Sequence, residues 1–77
     1  MMQHPGEIVF EDLDRGRRES VPAVDVPDSV AFAEVGDARV PVVRVVAHRD
    51  GSTVYLRAYD ADGRLLRSTI GPDQPAG

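Results

Sequence analysis

The stretch AYDADGRLLR, residues 58–67, sets Asp60 and Asp62 two apart and closes on Gly63. That is either the opening of a calcium loop or the tip of a hairpin. An EF-hand loop needs oxygen ligands at its first, third and fifth positions, glycine at the sixth and a bidentate glutamate at the twelfth. Here glycine follows the second aspartate directly, and the twelfth position counted from Asp60 is Gly71. The spacing therefore predicts a turn. His48-Arg49-Asp50 spells three letters of the protein-kinase catalytic loop, which continues with leucine and an asparagine inside a far larger domain. Here it ends a strand and opens another turn. His4 and His48 are the only histidines and there is no cysteine, so neither a metal site nor a cofactor is expected.

Nucleophilic and acid–base chemistry find little footing. Ser52 lies close to His48 in the chain, but a serine in a tight exposed turn has no oxyanion hole and no pocket. Glu11 and Asp12 are neighbours on a strand and point to opposite faces. Glu7 and Glu11 share a face in the manner of a solvated acidic strand. Arg15, Arg17 and Arg18 surround Gly16, an arrangement able to bind phosphate, yet Asp12, Asp14 and Glu19 nearly cancel their charge and a solvated loop is expected. A chain this short leaves little room for a cavity of about 300 Å³, the lower end for ligand pockets. A non-enzyme is expected.

Short β-branched runs separated by turn residues are the signature of a small all-β domain. Strands are predicted over 7–13, 30–35, 39–48, 53–59 and 64–70, with a weaker one near 18–26 that Pro22 confines to an edge or bulge. Asp28-Ser29 can cap at most a short helix, and no stretch keeps helical period for three turns. Residues 1–6 and 71–77 are rich in proline, glycine and polar groups and are expected to be flexible, leaving 7–70 as one domain.

Turn chemistry predicts the register. Asp50-Gly51 in a two-residue hairpin pairs Ala47 with Val54, Val45 with Leu56 and Val43 with Ala58, an apolar face. A three-residue loop, Ala61 to Gly63 with glycine left-handed, sets Ala58 beside Leu66 and Val54 beside Ile70. A loop one residue shorter or longer would turn Arg67 and Thr69 inward. A Gly36-Asp37 turn brings Phe32 to Pro41 and Val30 to Val43. The expected fold is thus an antiparallel meander of five to six strands forming a compact barrel or β-roll, an SH3-like barrel being one version, with the 7–13 strand closing or covering it.

The same register places Arg44, Arg57 and Arg67 in one row on the reverse face, with Tyr55, Tyr59 and several valines around them. Like charges directly opposite on neighbouring strands cost roughly 0.2–1 kcal/mol per pair. Something negative is expected over the row: the acidic 7–13 strand, a partner's carboxylates or an anion. Tyrosine and arginine are also enriched at binding hot spots. Arg44, Tyr55, Arg57, Tyr59 and Arg67 are therefore the candidate interaction residues. The expected function is a small protein-interaction module that self-associates through this face or docks another protein. A binder of a small anion or single-stranded nucleic acid on the same face is the alternative, since tyrosines and arginines stack on bases.

The formal net charge of −4 argues against nucleic acid, which demands a basic footprint. All nine basic residues are arginine and lysine is absent, a bias that a GC-rich bacterial genome accounts for. No apolar run approaches the roughly 20 residues that span a bilayer, and MMQHPGEIVF lacks the basic start and apolar core of a secretory signal. A cytoplasmic protein with no membrane partner is expected. At 77 residues, without disulfides, the chain hides only about 60% of its unfolded surface, so association is a route to stability.

YDADGRLLRST, about a seventh of the chain, resembles one YD repeat of the large β-shell toxin carriers of the rearrangement-hotspot and teneurin class. Those shells are built from many tandem copies and this chain holds one, so the resemblance implies only the strand–turn–strand unit.

Overall fold

In the computed structural model, which describes residues 6–72, the chain forms β1 (Glu7–Asp12), β2 (Arg17–Pro22), a 3-10 turn (Ala23–Asp25), α1 (Asp28–Ala31), β3 (Phe32–Val35), β4 (Ala38–Pro41), β5 (Arg44–Asp50), β6 (Thr53–Tyr59) and β7 (Leu65–Pro72). The structure is mostly β, as expected. The expected loose ends lie outside the described residues except for Gly6, Gly71 and Pro72, and the last two belong to β7. A single sheet runs in the order β2-β1-β5-β6-β7, and β3 and β4 make a separate two-stranded sheet. No closed barrel is found among the described residues, because β2 and β7 stand at opposite edges of the order.

Two features replace the expected meander. The run 39–48 is not one strand: it breaks at Val42-Val43 into β4 and β5, which belong to different sheets. Val42 is completely buried, and its N–H bonds to the Ala31 carbonyl at 2.9 Å. The Val43 N–H bonds instead to Tyr59 O at 2.9 Å, and its carbonyl accepts the Val9 N–H at 3.0 Å. The two valines thus hand the chain from the hairpin to the main sheet. Secondly, β1 pairs parallel to β5, Val9 opposite Arg44 and Phe10 opposite Val45, rather than lying over the sheet. DRGRRES, expected to be a solvated loop, is instead the turn after β1 and the start of β2. β2 is an edge strand, the place Pro22 permits.

Two hairpins form close to expectation. Phe32 sits opposite Pro41 across Gly36-Asp37, although Val30 lies in α1 and never meets Val43. The next loop is Gly51-Ser52, since Asp50 pairs with Thr53. Gly51 has φ +64° and, among the described residues, none other than glycine has positive φ, so glycine fills the first central position as a type II′ turn requires. A type I′ turn would have forced Asp50 into the left-handed region. Partners therefore change, Val45 to Ala58 and Ala47 to Leu56, but the faces do not.

At β6–β7 the faces do change. The three-residue loop forms, with Asp60 N–H bonded to Arg64 O at 3.0 Å and Gly63 at φ +83°. Tyr59 then meets Leu65, but Ala58 meets Arg67, so Leu66 is an extra residue in a bulge. Beyond it Arg67 and Thr69 share the face of Ala58 and Leu56, and Ser68 and Ile70 share that of Arg57 and Tyr55.

The core lies on the inner face of the sheet, at one end. Ile8 and Ala58 from the sheet pack with Ala23, Ala31, Phe32, Ala33 and Val42, while Phe10, Val26, Val45 and Leu66 border the cluster. The Arg39 guanidinium stacks 4.5 Å over Phe32 and pairs with Asp28 at 3.3 Å, fastening the hairpin to α1.

Candidate interaction faces

Alternation along the strands sorts the candidate residues. Arg44, Tyr55, Arg57 and Tyr59 fall on the outer face, together with Val9, Glu11, Val46, His48, Ser68 and Ile70. Arg67 falls on the inner face, where its Nη1 donates to the Ser29 carbonyl of α1 at 2.9 Å. The predicted row of three arginines therefore does not exist. Arg44 stands opposite Tyr59, and Arg57 stands between Val46 and Ser68. The cause is the bulge at Leu66 together with the two-residue shift at Gly51-Ser52.

Each outer residue has a distinct environment. Arg44 makes a forked ion pair with Glu11, Nε to Oε1 at 2.7 Å and Nη2 to Oε2 at 3.2 Å. Its guanidinium also lies 5.7 Å from the Tyr59 ring centre. Charge-assisted forks of this kind are roughly twice as strong as neutral hydrogen bonds. The Glu11 carboxyl is accordingly held below its ordinary range. The Arg44 hydrogen bond does most of this against desolvation, and the charges of Arg44 and Arg18 assist. The acidic strand thus compensates an arginine, as expected, but from the neighbouring position in the sheet rather than from above it.

Tyr55 stacks beside His48 at 6.4 Å between ring centres and stands opposite Ile70, whose side chain is 65% exposed. His48 Nδ1 lies 3.5 Å from Asp14 Oδ1. Arg57 is exposed and, among the described residues, its guanidinium has no ion pair or hydrogen bond. At the far side Glu7 accepts the Ser20 hydroxyl hydrogen bond and makes no ion pair among the described residues.

The inner face carries a concavity that sequence reasoning missed. The β3–β4 hairpin and α1 cover only one end, leaving an open groove of about 620 Å³ over Phe10, Val45, Ala47 and Leu56, with Asp12, Arg17 and Glu19 at its rim. Its volume exceeds what a chain of this length was expected to offer, because it is a surface trough and not an enclosed void. The parity of Asp12, Arg17 and Arg49 with the core residues was the available signal, since charges do not sit at fully covered positions. Asp12 spends its carboxylate on the turn, Oδ1 accepting from the N–H groups of Asp14 at 3.1 Å and Arg15 at 3.2 Å. Among the described residues no serine, histidine or cysteine lines the groove.

Set against models of known families, curated proteins and solved structures, the chain matches none. Among the described residues no helix is long and apolar enough to cross a membrane.

Proposed function

We propose that this chain is a small non-catalytic protein-interaction module that self-associates through the outer face of its sheet. The observation that carries the reading is Arg57: an exposed cation without a partner among the described residues, beside Tyr55 and the exposed Ile70. Arginine and tyrosine next to exposed aliphatic surface make an interface centre. The face also carries an acid, Glu7, two strands away from Arg57, which accepts from Ser20 and makes no ion pair among the described residues. A surface with both signs is self-complementary about a two-fold axis, one copy's Arg57 meeting the other's Glu7. His48 and Ser52 favour a non-catalytic role, since both are exposed and neither lines the groove.

Arg57→Glu tests it. Sedimentation across a concentration series is expected to show the variant one association step short of the wild type, with its melting curve retained. Identical mass profiles would overturn the reading. The net charge of −4 disfavours nucleic acid on this face. A strictly monomeric wild type whose Arg57 signals shift on adding oligonucleotide would exchange the first reading for that one.

A further inference from the structure

We infer that β7 is a docking edge for a second copy of the chain, the two β7 strands pairing antiparallel to extend one sheet through both molecules. The inference goes beyond the outer-face reading and stands on the backbone ladder and the make-up of the two sheet edges.

The sheet has two edges, and they differ. β2 reads RRESVP, with Arg17, Arg18 and Glu19 along it and Pro22 at its end. Charges and proline are what blunt an edge against pairing. β7 is longer, its only charged side chain is Arg67, and that group is turned inward to Ser29. It exposes Leu65 and Ile70, at 54% and 65%. β3 passes near β7 on the inner face, where Arg67 is held.

Which backbone groups are free follows from the ladder. Asp50 and Thr53 flank the two-residue loop and so bond each other. Alternation then aims the amide groups of Val54, Leu56 and Ala58 at β7, and their partners Thr69 and Arg67 bond back. The N–H and C=O of Ser68 and Ile70 must point outward from the sheet edge, with no described partner. Such an edge is self-complementary. A two-fold axis at Thr69 sets Ser68 against Ile70 of the second copy, twice over, satisfying all these groups. Thr69 meets Thr69, a favourable cross-strand pair, and Arg67 meets Gly71, so no like charges oppose. Arg57, Ser68, Ile70 and Tyr55 of the two copies then form one outer face.

Amide exchange of the wild type is the direct test. Ser68 and Ile70 amides are expected to slow on the order of tenfold or more as the association state forms on raising concentration. Ser68→Pro removes an edge N–H, fixes the local φ and changes one outer-face side chain, whereas Thr69→Lys sets two ammonium groups opposite each other without touching the outer face. Each is expected to lose one association step that Arg57→Glu leaves intact. Unprotected Ser68 and Ile70 amides in the associated protein, or either folded edge variant assembling like the wild type, would overturn the edge. Arg57→Glu assembling like the wild type while Ser68→Pro loses a step would overturn the face reading and leave the edge standing.

Discussion

Arg44 and Arg57 lie on one face of neighbouring strands, and their neighbours separate them. Arg44 is engaged by the fork to Glu11 and the Tyr59 ring, whereas Arg57, between Val46 and Ser68, has no partner among the described residues. Replacing Arg44 by methionine is expected to return the Glu11 titration to the ordinary carboxylate range, readable by NMR of its side-chain carbonyl. The sign follows from linkage: a carboxyl with a depressed folded pKa contributes stability above its unfolded value, and that contribution fades as pH falls through the folded one. The stability gap between wild type and variant should thus narrow on acidification below the usual glutamate range, and a gap constant with pH would contradict the fork's role. Gly63 gives a second test, since it sits at φ +83° with open space where a Cβ would be. Gly63→Ala should cost roughly 1–2 kcal/mol by urea unfolding, all of it conformational. Residue types were the legible part of the candidate site. Four of the five named residues share a face, and the sequence could not show which of the arginines were already engaged.

At the scale of the element, turns were legible and the bulge was not. A glycine's positive φ is a local matter, so Gly36, Gly51 and Gly63 each mark a turn where one forms. The bulge at Leu66 depends on something remote: the chain gains one residue so that Leu66 can border a core assembled from β1, α1 and the β3–β4 hairpin. Consecutive leucines therefore have different fates. Leu66→Ala is expected to destabilise by about 1–3 kcal/mol, a partly buried share of the usual large-to-small cost, and Leu65→Ala, more than half exposed, by less than about 0.5 kcal/mol. Equal effects in denaturant melts would mean that the extra residue lies elsewhere.

For the whole molecule, the mostly β character came through because β-branched runs and turn residues are local, while the mixed sheet did not. Parallel pairing has no short connecting turn to announce it, and Val9 meets Arg44 from far along the chain. The half-covered inner face escaped for the same reason, since only the hairpin's placement decides how far the cover reaches. Stability of the order of 4–12 kcal/mol is typical for this length. Ile8 is completely buried on β1. Ile8→Ala at about 2–5 kcal/mol is then expected to lower the melting temperature far more than any outer-face change, and a small shift would show that the core is not centred there. The interior position of β1, between β2 and β5, also bears on how the domain is made. A nascent chain can close the β1–β2 hairpin early, but the other flank of β1 waits bare until Arg44 to Asp50 have left the ribosome. Folding cannot proceed strand by strand from the start, and any pause in translation before that point holds an open sheet margin exposed to other chains.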